Sequence, residues 1–312
     1  MIESLQRVCP GARVSVLAFD ELAAHALAAL DLAGVAVICL EDFENDALRK
    51  ARAERSRVEY LWTCTAPLLL HMLEKEGQKE CTYLDADLYF YASPEILFEE
   101  AGAASVILTG HRYTPCYDRS VLFGRYCVQF MTFRDEPESL RALRWWRDRC
   151  LEWCGYQARD GRFGDQKYLD EFPARFEGVH ELRHSGAGVA PWNVQQFALF
   201  EKDGALHGRV KKSGEEFPLV FYHFHGVNFY SDHWVDLCGY RLDRDTINLL
   251  YRPYIRILAD YRDRLARHGV DAWGVVRRPL TWRTPHRAAL VALRLFRGGF
   301  NVRRVGPLIR GD

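Results

Sequence analysis

Residues 81–90 read CTYLDADLYF, an apolar strand that ends in two carboxylates, Asp85 and Asp87, two positions apart. Residues 219–226 read LVFYHFHG, a second apolar strand that ends in His223 and His225. Buried acids are expensive unless they are paired or bound to a metal. Two carboxylates and an imidazole, each delivered by the end of a buried strand, make a candidate site for one divalent ion. For that site to exist, the two strand ends must meet. On the residues alone a second reading stays open, in which Asp85 and Asp87 cap a turn and the histidines sit in ordinary hydrogen bonds.

The chain has 312 residues, enough for one large or two modest domains. Its 48% hydrophobic and 27% charged residues are those of a globular protein. Lys plus Arg equals Asp plus Glu at 42 each, which argues against a dedicated nucleic-acid binder. The nine cysteines form no CxxC pair, and we read them as reduced thiols in a cytoplasmic protein. The first twenty residues lack the uninterrupted apolar run of a signal peptide, and no apolar stretch reaches the length of a spanning helix.

Along the chain, residues 13–19 and 35–40 are short runs rich in β-branched residues. Between them, residues 21–30 are Ala- and Leu-rich and read as a helix capped by Asp20, which gives a strand–helix–strand unit. Residues 41–76 read as mostly helical, and strands are expected at 81–85, 105–108 and 126–134. A helix from Pro137 to about Cys154 is expected to be capped by Asp135 and ended by Gly155. Its stripe of Leu140, Leu143, Trp146, Cys150 and Cys154 opposes a face of arginines. A short helix follows Asp165, a hairpin turns at Asp203–Gly204, and residues 249–267 form an amphipathic helix.

Four ordered blocks, YLDADLYF, FGDQKYLDEFP, GAGVAPWN and FYHFHG, cover residues 83–226. Through them the chain resembles retaining, family 8-like glycosyltransferases of the GT-A (nucleotide-diphospho-sugar transferase) fold. It is similar in particular to uncharacterised bacterial glycosyltransferase-like proteins of polysaccharide gene clusters. The resemblance implies an α/β fold with a mainly parallel central sheet flanked by helices. It implies that Asp85, Asp87 and His223 bind Mn²⁺ or Mg²⁺, with Gly226 completing the His-x-x-Gly motif and His225 in reserve on the same face of the strand. The ion would neutralise the leaving diphosphate as glycosyl passes from a nucleotide-sugar donor to a saccharide or lipid-linked acceptor. The resemblance also assigns Asp165 and Gln166 to the donor sugar and puts the helix bearing Tyr60 beside the nucleotide.

Other residues keep two readings. Trp192 stacks on a sugar with Asn193 hydrogen-bonding it, or Trp192 is a core plug. Asp165 faces sugar hydroxyls, or it only caps its helix. His111 and Arg112 touch phosphate or acceptor, or Arg112 lies on the surface. Relative to its resemblers the chain is expected to be N-terminally shortened, with Met1 inside the helix that follows their first strand. The exposed sheet edge would then be covered by a homodimer or by a rearranged N-terminus. Cys127 and Gln129 also stand where an Asn and a Gly are expected. Together these departures motivate the alternative function, a catalytically degenerate, glycosyltransferase-like binding or scaffold protein.

We divide the chain into a domain at 1–274 and an Arg-rich tail at 275–312. From Arg277 to Arg310 there are nine arginines and no acid. Leu290, Val291, Leu293, Leu295 and Phe296 give the tail helix an apolar side ringed by Arg287, Arg294 and Arg297. That composition suits a helix lying on an anionic membrane, at the inner membrane face. The alternative is a helix docked on the domain.

Overall fold

The computed structural model describes residues 1–231, 234–270 and 285–311. The first strands, β1 (Val14–Ala18) and β2 (Val35–Cys39), pair in parallel across the helix Glu21–Leu30. That helix is capped as its sequence requires: Ala23 N–H donates to the Asp20 carboxylate at 2.8 Å. The helical region beyond β2 is broken into short segments, among them Arg57–Thr63 and Thr65–Leu70. Next come β3 (Glu80–Leu84) and β4 (Leu88–Phe90), separated by the Asp-x-Asp turn, and then β5 (Val106–Gly110), β6 (Tyr126–Arg134) and β7 (Val179–Glu181). A hairpin, β8 (Phe197–Lys202) and β9 (Ala205–Val210), turns through positive φ at Asp203 and Gly204 and is extended by β10 (Glu216–Pro218). Last are β11 (Phe221–His223), β12 (Asn228–Ser231), β13 (Trp234–Asp236) and β14 (Val302–Arg304).

These strands do not build the mainly parallel central sheet of a GT-A fold. Among the described residues they form five small sheets, of which the largest has four strands in the order β3-β6-β5-β7. Only β1/β2 and β5/β7 are parallel; β6 runs antiparallel to both of its neighbours. The reason lies in the connection. Residues 111–125 join β5 to β6 with only the short turns Pro115–Tyr117 and Ser120–Phe123. Without a crossover helix to carry the chain back along the sheet, β6 returns beside β5 in the opposite direction. The topology therefore argues against the GT-A, Asp-x-Asp glycosyltransferase picture.

β5 is buried along its whole length and β6 from Tyr126 to Phe133. The helix Pro137–Glu152 covers one face of their sheet with Leu143, Trp146 and Cys150, all fully buried. Its cap differs from expectation: Glu136 is the N-cap, while Asp135 pairs with Lys79 at 2.8 Å. The helix also ends at Trp153, and Gly155 is small because a Cβ there would lie 2.6 Å from the Trp153 ring.

The helix Ile2–Val8 packs Leu5 into a second cluster with Phe90, Phe130 and Phe221. Its side chains also meet the backbone of β4. Phe90 N–H donates to Ser4 Oγ at 3.1 Å, and Arg7 donates to Phe90 O at 3.0 Å. A third cluster joins β11, Leu237 and the helix Arg252–Arg267 through Tyr222, Tyr251 and Ile255. The boundary expected at residues 274–275 falls within 271–284, outside the described residues.

Candidate metal centre

Two pairings bring the polar strand ends together. Asp85 N–H donates to Gln129 O at 3.0 Å, which extends the β3/β6 ladder by one residue, and Leu88 N–H closes the turn onto Asp85 O at 3.2 Å. β4 then pairs antiparallel with β11 in a register that sets His223 opposite Leu88, the neighbour of Asp87. Phe224 N–H donates to Asp87 O at 2.9 Å and His223 N–H to Val189 O at 2.9 Å, so both segments are fixed by their backbones. Gly226, at φ +86, takes the turn after His225.

His223 is 4% exposed, and its Nε2 lies 3.0 Å from Asp87 Oδ1 and 3.7 Å from Asp85 Oδ2. One ligand atom from each of Asp87, His223 and His225 lies within 4.8 Å of the others, so these three residues could hold a divalent metal. Asp85 stands beside this group, with its Oδ1 accepting from the Tyr83 hydroxyl at 3.1 Å. His225 is the exposed member, open to ligand from the solvent side.

Electrostatics sharpen the site. Burial disfavours the His223 imidazolium, but the Asp87 carboxylate and its hydrogen bond outweigh it and hold the ring well above its ordinary pKa. Burial would raise Asp87, yet the charge and hydrogen bond of His223 hold it down to about 2. Asp85 is pushed up to about 6 by burial, with His223 opposing and Asp87 adding to the rise. A metal ligand must be neutral imidazole, so an ion entering here displaces the proton that His223 shares with Asp87. The ion takes over the charge balance that this proton supplies.

The remaining predicted residues divide between this centre and the surrounding structure. The Trp192 ring packs edge-on against His223 and His225, with centroids 5.4 and 5.5 Å away. Its Nε1 donates to His111 O at 2.9 Å, so one buried indole orients both histidines. Asn193 is used up by the backbone: Nδ2 donates to His111 O and Gly188 O, and Oδ1 accepts from Ala190 N–H, all at 2.9 Å. Gln166 donates to Phe123 O at 2.7 Å. Tyr60 lies in a separate buried cluster with Leu40, Phe43 and Cys64, and its hydroxyl donates to Glu44. Arg112 donates to His184 O at 3.0 Å from a left-handed backbone, φ +44.

Asp165 is 2% exposed, and its Oδ2 has no hydrogen-bond partner. Burial pushes its carboxyl up to about 7, opposed by a hydrogen bond with Thr65 and reinforced by the Asp85 charge. Three more residues that the sequence analysis singled out, His111, Cys127 and Gln129, lie near the metal group. His111 is buried and driven down to about 3 by that burial. Burial pushes the Cys127 thiol up, with the neighbouring His223 opposing, and His223 Nδ1 is buried without a hydrogen-bond partner. Gln129 is fully buried with neither amide atom partnered.

Fold and site together describe a mixed α/β protein with an Asp–His group at the junction of two antiparallel strands. No family profile matches the chain. It is 33% identical over 274 residues to the YfnD protein of Bacillus subtilis (strain 168), covering 85% of each chain. It is 32% identical over 239 residues to the YfnF protein of the same organism, covering 74% of this chain and 77% of YfnF. The chain belongs to the family of YfnD. Both relatives are described only as uncharacterized proteins.

Proposed function

We propose that this protein is a binding protein that holds Mn²⁺ or Mg²⁺ at Asp87, His223 and His225 and, through the ion, recognises a ligand bearing a diphosphate. The observation that carries this reading is the placement of His223 Nε2 at 3.0 Å from Asp87 Oδ1, on a buried strand end with His225 beside it. Two imidazoles favour manganese over magnesium, which prefers an all-oxygen shell. Cys127 packs against Trp192 and Gln129 is fully buried beside it, where the resemblance leads to an Asn and a Gly, and these bulkier residues favour binding over turnover.

A second reading is favoured by one observation, the buried carboxyl of Asp165 with an unpartnered oxygen near Asp85. In that reading the site transfers a glycosyl group from a nucleotide-diphosphate sugar, and the leaving diphosphate deprotonates the acceptor.

Calorimetry with Mn²⁺, followed by UDP and GDP in its presence and absence, tests the binding reading. Metal-dependent heat with a nucleoside diphosphate, lost in Asp87→Ala and His223→Ala, is the expected result. No heat from Mn²⁺ overturns the reading. Release of free sugar from UDP- or GDP-sugars that disappears in Asp87→Ala would replace it with the second.

A further inference from the structure

We propose that the helix Pro285–Phe296 is a docking surface for an anionic phospholipid bilayer, on which the protein lies without crossing it. The proposal is independent of the metal reading. The helix has one face turned into the protein. Val291 is 1% exposed, and Arg294 donates to both oxygens of the buried Asp236 at 2.6 and 2.7 Å and also to Gly299 O at 2.9 Å. Arg294 is therefore an internal clamp and not part of the ring of surface cations suggested by its position in the sequence.

At 100° per residue, the face opposite Val291 and Arg294 carries Ala289, Ala292, Leu293 and Phe296, while Leu290 and Leu295 border the inward face on its two sides. Leu293 is 43%, Leu295 52% and Phe296 90% exposed. A clamped helix that holds Leu293 and Phe296 outward presents exposed apolar surface, which marks an interaction site.

Charge decides between occupants. Residues 285–311 contain no acid, and Arg297, Arg303 and Arg304 are exposed. On β13, Trp234 is 37% exposed, with the Arg304 guanidinium 5.3 Å from its ring centroid. Exposed Leu and Phe on one face of a helix that carries arginine and no acid suit a surface that sits at the lipid headgroup boundary. A second copy of the chain meeting the same patch across a two-fold axis would bring like charges together. A bilayer rich in phosphatidylglycerol offers the opposite charge. With 12 residues the helix is too short to span, and among the described residues no helix is long and apolar enough to cross a membrane.

The test is cosedimentation of the full chain with vesicles of phosphatidylglycerol and phosphatidylcholine, against pure phosphatidylcholine, at low and high salt. We expect binding to the anionic vesicles at low salt, with a gain of about fivefold per exposed arginine that salt removes. Leu293→Ser with Phe296→Ser should reduce partitioning by at least about tenfold from lost apolar burial. Arg297→Gln with Arg303→Gln should do so through charge. All four positions are exposed, so the melting curve should stay in place. Absence of binding to anionic vesicles at low salt overturns the proposal, as does binding that neither double variant weakens. A concentration-dependent dimer that Leu293→Ser with Phe296→Ser dissociates, with no vesicle binding, assigns the surface to a second copy instead.

Discussion

Replacing Asp165 with Asn should stabilise the protein more at pH 8 than at pH 5. The carboxyl is buried between Tyr83, Asp85 and Thr65, with one oxygen unpartnered, and burial pushes it up to about 7 from an ordinary 3.8. In the unfolded chain the group ionises near pH 4, whereas the folded protein keeps the proton until about pH 7. The folded state therefore binds more protons through this interval, and its stability falls as pH rises. At 1.36 kcal/mol per pKa unit, the loss from this one group is on the order of 4 kcal/mol by pH 8. An Asn of the same shape can retain the Thr65 hydrogen bond and has no charge to bury.

Urea denaturation of both proteins in EDTA, followed by tryptophan fluorescence at pH 5 and pH 8, measures the effect as a difference of differences. The variant should gain about 2–4 kcal/mol more at pH 8 than at pH 5. Some pH dependence will remain, because Asp85, raised to about 6, works in the same direction. So does His223, whose pairing stabilises fully below its ordinary 6.5 and is lost as pH rises through its higher folded value. An equal shift of the variant at both pH values would refute the reasoning, because it would mean that Asp165 is not a buried charge at pH 8.

Two further perturbations test the packing around the site and the tail. Arg294→Ala should destabilise by about 3–5 kcal/mol, because it strands a buried Asp236 carboxylate, and Arg294→Met with Asp236→Asn should recover most of the loss in a thermal melt. An additive double variant would refute that coupling. Gly186→Ala would place a Cβ 2.0 Å from Pro218 O, and Gly186 O already accepts from Val220 N–H at 3.0 Å. The strand leading to His223 must then move, so a loss of at least about 1–3 kcal/mol is expected in urea, with weaker Mn²⁺ binding by calorimetry. A variant with wild-type stability would show that this contact can relax.

The sequence by itself determined where several helices, strands and turns lie and where polar groups interrupt apolar runs. The helix Glu21–Leu30 with its Asp20 cap and the hairpin turn at Asp203–Gly204 were legible, because caps, turn residues and side-chain periods are local. The polar strand ends were legible for the same reason: an acid or histidine directly after a run of buried residues is an expensive choice that asks for a partner. Local pattern does not report direction, however. An apolar run reads the same whether its neighbours run parallel or antiparallel, and β6 was reversed by the short connection at 111–125, not by its own residues. Tertiary structure alone decided that the β4/β11 register sets His223 against Asp87, that Trp192 orients both histidines, and that Tyr60 belongs to a different cluster. It also decided the state of two charges that look ordinary in the sequence. Asp165 is buried without a counter-ion, and Arg294 is withdrawn from the surface by Asp236, because the cost of a charge depends on what the whole chain packs around it.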